Sequence, residues 1–180
     1  MTATIRRLDG ADALVYWSTR NLGLQEFPDA FTTSHEEGLA TPAEKLAKRF
    51  GGTGSDDFVL GAFADDGVLL GYAGFERETR TKQRHKGKIV GMYVSPVARR
   101  TGLGRQLLSA VIAEARQLPG LERLWLTVTH SNENARQLYL RAGFVTFGIE
   151  RNALKIGAVY YDKEFMALSL LSSPPPTPLA

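Results

Sequence analysis

The stretch Met92-Tyr93-Val94-Ser95-Pro96-Val97-Ala98-Arg99-Arg100-Thr101-Gly102-Leu103-Gly104-Arg105 has the residue types and the spacing to do chemistry. Gly102 and Gly104 let ligand atoms approach the main chain where an apolar run gives way to a helical pattern. The first turn of a helix carries N–H groups without partners, backed by the positive end of the helix dipole. Three arginines, Arg99, Arg100 and Arg105, surround that point, and guanidinium groups pair well with phosphate oxygens. The combination suits a pyrophosphate. The glycine pair alone is explained equally well as relief of crowding where strand meets helix, with the arginines as a solvated rim. It is not the Walker phosphate loop, because no Gly-Lys-Ser/Thr follows. Nor is it the dinucleotide Gly-x-Gly-x-x-Gly, because Leu107 takes the third glycine's place.

A second stretch, Asn132-Glu133-Asn134-Ala135-Arg136-Gln137-Leu138-Tyr139-Leu140-Arg141-Ala142-Gly143-Phe144, follows after one helix and one strand. In this order the two segments resemble the GCN5-related N-acetyltransferase (GNAT) superfamily. Arg99-x-x-Gly102-x-Gly104 looks like its acyl-CoA pyrophosphate loop, and Asn132-x-x-Ala135-x-x-Leu138-Tyr139-x-x-x-Gly143-Phe144 like its second cofactor motif. The resemblance implies an α/β fold: a mixed, mostly antiparallel central sheet flanked by helices, whose splayed central strands hold acyl-CoA. It implies that Met92, Tyr93 and Val94 border the pantetheine, which pairs like an extra strand with exposed backbone groups. By the same resemblance, backbone amides among Arg99, Arg100, Thr101, Gly102, Leu103, Gly104 and Arg105 hold the pyrophosphate. Asn132 bonds the pantetheine arm, and Tyr139 sits near the thioester sulfur. Asn132 also reads as a plain helix cap, and Tyr139 as an aromatic packed on the helix's core side.

Acetyl transfer to an amine makes demands that the sequence can be checked against. An amine of lysine-like pKa, about 10.4, is almost wholly protonated at pH 7, so a proton must leave before attack. The leaving thiolate needs a donor, and a phenol that is protonated at neutral pH suits that role, which makes Tyr139 the candidate general acid. An N–H near Val94 is a candidate oxyanion donor. The chain has no cysteine, so an acyl-cysteine intermediate is excluded and direct attack in a ternary complex is favoured. The base is less well marked. Many relatives carry a glutamate on the strand before the pyrophosphate loop, but Gly87-Lys88-Ile89-Val90-Gly91 has none. Glu76 is the candidate base, with Glu78 and Glu26 as alternatives, acting directly or through water; a base-free route by a water chain, or with an amine that arrives neutral, is the other reading. The expected activity is an N-acetyltransferase that uses acetyl-CoA as co-substrate, with a small-molecule or protein amine as acceptor. The missing strand glutamate keeps open a noncatalytic acyl-CoA-binding regulator. The resemblance also makes a homodimer an expectation. It places the hairpin around Glu150–Asp162, with Tyr160, Tyr161 and Asp162, on one wall of the acceptor site. The Gln25–Phe31 loop would form the other wall, its acidic and aromatic residues suiting a cationic amine.

The elements that must position these residues follow from periodicity. Leu103, Leu107, Leu108, Val111, Ile112, Ala115 and Leu118 recur on one helical face until Pro119-Gly120. Before them lie a strand over Thr4–Leu8, a helix from Ala13 to about Asn21 ended by Gly23, and a helix over Glu44–Phe50. A hairpin over Phe58–Ala64 and Val68–Glu76 and a strand over Ile89–Val94 come next. After them come a strand over Leu124–Thr129, a helix from Asn132 to Ala142, and strands over Phe144–Gly148 and Val159–Leu168. The order predicts a sheet that is antiparallel early and gains a parallel crossover at the long amphipathic helix.

Composition bounds the rest. The 180 residues, 43% hydrophobic and 23% charged, suit one domain over 1–170, with a Pro-rich, disordered tail over 171–180. No apolar run is long enough to span a bilayer and no signal segment is evident, so the cytoplasm is expected. Three scattered histidines and no cysteine predict no metal site. Net charge is only +3, yet nine of the 22 basic residues fall between Glu76 and Arg105. From Glu76 to Lys88, six basic side chains face two acidic ones. That run lacks interleaved aromatics, so nucleic-acid binding is not expected of it.

Overall fold

The computed structural model describes residues 3–52 and 55–171. The elements are β1 (Thr4–Arg7), α1 (Ala13–Glu26), α2 (His35–Leu39), α3 (Ala43–Ala47), β2 (Phe58–Phe63), β3 (Leu69–Arg77) and β4 (Lys86–Val94). They continue with α4 (Leu103–Ala115), β5 (Arg123–Thr129), α5 (Glu133–Arg141), β6 (Val145–Ile156) and β7 (Val159–Ser169). Seven strands form one sheet in the order β1-β2-β3-β4-β5-β7-β6. Every neighbouring pair is antiparallel except β4 with β5, which the α4 crossover makes parallel. The expected mixed, mostly antiparallel sheet is therefore present. The tail expected over 171–180 lies, apart from Leu171, outside the described residues.

The apolar face of α4 makes the larger core. Leu103, Leu107, Leu108, Val111 and Ala115 are buried against Phe58, Leu60, Leu70, Ala73 and Phe75 of β2 and β3 and Leu124 and Leu126 of β5. Each fully buried leucine contributes on the order of 2 kcal/mol, so this stripe fixes the start of α4 firmly against the sheet. On the opposite face α1 and α3 pack Ala13, Tyr16, Ala43 and Leu46 on Val59, Leu69, Tyr72 and Tyr93.

Three boundaries and one whole element differ from expectation. Helix α1 continues past Gly23 to Glu26. Gly23 is there for contact, since a Cβ at that position would lie 2.8 Å from Cδ2 of Tyr93. A glycine inside a helix costs about 1 kcal/mol, and the close approach of α1 to β4 offsets it. The short α2, with Ser34 and Glu37 in a reciprocal capping box, was not legible as a periodic run. Strand β4 begins at Lys86, so Lys86 and Lys88 of the basic run belong to a strand. Strand β6 extends to Ile156, past the Gly148 limit, through irregularities that include Asn152 at φ 54°.

Candidate active site

The seam between β4 and β5 is closed at one end and open at the other. Lys86, Gly87 and Lys88 pair with Arg123, Leu124 and Trp125, and no further rungs follow. A bulge on β4 causes the divergence. Between the pairs Gly74↔Val90 and Tyr72↔Tyr93, β4 carries one residue more than β3, and Gly91 takes φ 61° there. The extra residue turns the rest of β4 away from β5. The resulting cleft is lined by Phe31, Val90, Gly91, Met92, Thr127, Thr129, Asn132 and Tyr139, among others.

Helix α5 supplies the cleft's polar groups. Asn132 caps it by accepting from the Ala135 N–H through Oδ1 (3.2 Å). Its Nδ2 has no partner among the described residues and can donate into the cleft, so the cap and the ligand contact are compatible. Tyr139 is buried and packs edge-on against Phe144. Its hydroxyl donates toward Sδ of Met92 at 3.8 Å. Burial pushes the phenol up to about 12, so it remains a donor at neutral pH. The core-packing reading and the donor reading of Tyr139 both describe this one side chain.

At the start of α4 the main chain forms a cradle. Arg100 has φ 63° and Gly102 has φ 89°. For Gly102 a Cβ would meet nothing within 4 Å, so the glycine is required by its left-handed conformation and not by lack of room. Among the described residues, the backbone N–H groups of residues 100 to 105 find no acceptor. The Arg99 N–H donates to Pro96 O at 3.2 Å, so the free run begins at Arg100. Six successive unsatisfied donors beside a helix N-terminus make an anion-binding concavity.

Several expected site residues point elsewhere. Arg99 turns its guanidinium toward α1: Nε donates to Val94 O (3.0 Å), Nη2 reaches Glu26 (3.5 Å), and the group lies 4.4 Å over the Phe27 ring. Tyr93 also faces α1, donating to Glu26 at 3.0 Å. Burial and then the Glu26 carboxylate push its phenol up to about 12. Leu103 is core, and Thr101 donates to Ala98 O at 2.7 Å, bracing the loop. These residues reach the cradle through their main chain.

The acidic candidates are not brought to the cleft. Glu76 accepts from Arg49 at 2.7 and 3.2 Å and stands opposite Lys88, at the closed end of the seam. Glu78 accepts from Trp125 Nε1 at 3.2 Å. The hairpin residue Asp162 is committed to Arg151 (2.5 Å) and the Asn152 N–H (2.9 Å). Neither Tyr160 nor Tyr161 lines the cleft. Of the expected Gln25–Phe31 wall, Ala30 and Phe31 do line it, and Thr129 Oγ1 holds the loop by donating to Asp29 O at 2.5 Å.

The sequence reading missed Glu164. This carboxylate is 2% exposed on β7. It gathers His130 Nδ1 (2.5 Å), Arg136 Nε (2.8 Å) and Thr146 Oγ1 (3.1 Å). It thereby ties α5 and the segment bearing Asn132 to the sheet. The signal was the charged run Asp162-Lys163-Glu164 interrupting an otherwise apolar strand. No group of three or more His, Asp or Glu side chains is placed to hold a metal among the described residues, and no described helix is long and apolar enough to cross a membrane.

Comparison with known proteins agrees with this geometry. Residues 20–144 match the family model described as acetyltransferase (GNAT) family. Mycothiol acetyltransferase of Salinispora tropica is 34% identical over 127 residues, which cover 68% of this chain and 40% of that protein. The chain thus spans about two fifths of the length of the curated relatives it matches. A GNAT-family acetyltransferase structure from Streptococcus pneumoniae superposes with TM-score 0.84 at 25% identity, covering 94% of this chain and all of that one. The yncA structure of Salmonella typhimurium, with its cofactor acetyl-CoA, gives 0.76 at 25% identity, covering 99% of this chain and all of the other.

Proposed function

Because this chain belongs to the acetyltransferase (GNAT) family, we propose that it moves an acetyl group from acetyl-CoA to a primary amine by direct attack in a ternary complex. The observation that carries the reading is the open half of the β4–β5 seam, bordered by Tyr139 and adjoining the amide cradle of α4. The main-chain N–H groups of residues 100 to 105 bind the pyrophosphate, with Arg100 and Arg105 as outer cations. Asn132 Nδ2 and the unpaired edge of β4 from Met92 to Val94 hold the pantetheine arm.

In the transfer a C–N bond forms and the C–S bond breaks. Tyr139 gives its proton to the departing sulfur, a soft acceptor like the Met92 Sδ that its hydroxyl already faces. Apart from Tyr139, no ionisable side chain lines the cleft among the described residues. The amine's proton therefore leaves through water, and Glu76 is not needed as the base. Use of acetyl-CoA makes the cytoplasm the working compartment.

The test is calorimetric titration of acetyl-CoA combined with a free-thiol assay over a panel of amines. Saturable binding with amine-dependent CoA release is expected. Binding without release for any amine would instead support a noncatalytic acyl-CoA-binding regulator, and no binding would remove the cofactor assignment.

A further inference from the structure

Two cations, Arg20 on α1 and Lys163 on β7, are buried without an ion pair among the described residues, and Lys163 is the one in register with a cleft residue. It lies on β7 and is 8% exposed. Among the described residues its side chain makes one hydrogen bond, from Nζ to Thr32 Oγ1 at 2.8 Å. Among the described residues it forms no ion pair. Glu150 is its register partner on β6, but that residue is exposed and attracts it only from a distance. Burial and the charge of Lys88 both pull its pKa down. A buried ammonium is costly unless an anion meets it.

Its place in the fold suggests which anion. Lys163 pairs in register with Thr129, which lines the cleft, and its bonding partner Thr32 follows Phe31, which lines it too. Antiparallel register partners share a sheet face, so Lys163 stands beside the acetyl-transfer cleft. Toward the closed end of the seam the same face carries Phe165, Trp125 and Lys88. The Trp125 and Phe165 rings are near-parallel with centroids 6.5 Å apart, and Lys88 Nζ lies 4.7 Å over Trp125. On the α1 side, Glu26 is already engaged by Tyr93 and Arg99. Asp29, the other acid of the covering loop, meets the cleft residue Thr129 through its main-chain oxygen. At the closed end Glu76, opposite Lys88, is taken up by Arg49, and Glu78 by Trp125, so an acceptor that carried only positive charge would meet two lysines.

We propose that the acceptor amine carries a carboxylate, bound by Lys163 with Lys88 as the outer cation, and rests its apolar portion on Trp125 and Phe165. Lys163 is thereby the specificity-determining residue, and the acceptor class is amino acids or peptides with a free carboxylate near the amine. This rests on the acetyltransferase reading above, which named the amine only.

The experiment uses the twenty standard α-amino acids and their carboxamides, with the full chain. Turnover is followed with acetyl-CoA, and ligand-induced melting shifts are followed with CoA-saturated protein. At least one acid is expected to exceed its carboxamide by tenfold or more in kcat/KM, although the carboxamide's less basic amine is the more available one. The same acid is expected to raise the melting temperature of the CoA complex. Lys163→Met should abolish that preference while leaving acetyl-CoA affinity within about twofold, and Lys163→Arg should restore part of it. Lys163→Met should also melt no lower than the parent, because it removes an unpaired buried charge. Equal use of acids and carboxamides, or a loss under Lys163→Met that is the same for both, overturns the proposal and leaves acetyl transfer standing. If no compound supports turnover, the melting shifts decide: no acid-specific shift in the CoA complex overturns it as well. Failure of acetyl-CoA itself to bind would sink the underlying reading instead.

Discussion

Two arginine-rich stretches lie within thirty residues of each other, and the fold puts them to opposite uses. In the first, Arg77 is satisfied on every side: it donates to Asp56 (2.9 Å), to Arg84 O (2.7 Å) and to Pro119 O (2.8 Å), and its side chain is only 10% exposed. It staples the end of β3 to the loop before β5. Nearby, Lys88 is spread over Trp125 and Arg84 shares Asp56. In the second, Arg100 and Arg105 are exposed, and the unsatisfied groups are main-chain amides. The difference teaches that arginine content and free main-chain donors are set separately: the unpaired amides of the second stretch arise from local dihedrals at residues 100 and 102.

The largest effect should come from the residue that the second stretch serves. Tyr139→Phe is expected to lower kcat about 100-fold while acetyl-CoA affinity stays within about twofold. Unchanged turnover at saturation would remove Tyr139 as the acid. Next, Arg77→Ala should destabilise the fold by about 2 kcal/mol in urea titration, because it leaves two carbonyls unmatched and Asp56 with only the more exposed Arg84. Acetyl-CoA affinity should hardly move, and a large change in affinity would show that the first stretch serves the cofactor after all.

Gly102→Val tests the second stretch directly. A β-branched residue at φ 89° costs roughly 1–3 kcal/mol and pushes the loop out of shape, so acetyl-CoA should bind about tenfold more weakly or worse. Arg100→Gln should be milder, at about two- to fivefold, and the effect should fade in high salt, since an exposed cation is screened. Wild-type affinity in Gly102→Val with a collapse in Arg100→Gln would reverse the comparison.

The smallest signal is a shape. With the Tyr139 phenol pushed up to about 12, the proton it must give is present throughout the working range. The profile of kcat/KM should climb with pH as the amine deprotonates and show no fall below pH ~10. A descending limb in that range that Tyr139→Phe abolishes would mean that the phenol titrates far lower.

Much of the fold was legible because its signals are local. The α4 stripe, the β2–β3 hairpin and the capped α5 each declare themselves within a dozen residues, and Asn132, Gly102 and Tyr139 stand in stretches of recognisable spacing. What failed depended on partners remote in sequence. Gly23 reads as a stop until Tyr93, seventy residues on, is seen to pack against it. Glu76 reads as a free acid until Arg49 closes on it. Lys163 and Glu164 look like two charges interrupting a strand. Pleating sends them to opposite faces, one into a satisfied cluster and the other beside the cleft.

The sequence by itself marked the segment whose main-chain amides stand free, the helix that brings Tyr139 to the cleft, and a chain without cysteine. These follow from residue type and short spacing. Only the tertiary structure decided where the seam opens, because a one-residue bulge opposite β3 has no local signature. It alone decided which charges are spent, because neutralisation is a matter of distance in space and burial. Arg99, Glu76 and Lys163 carry full charges in any sequence count. After folding, the first two are occupied, and Lys163 meets no anion among the described residues.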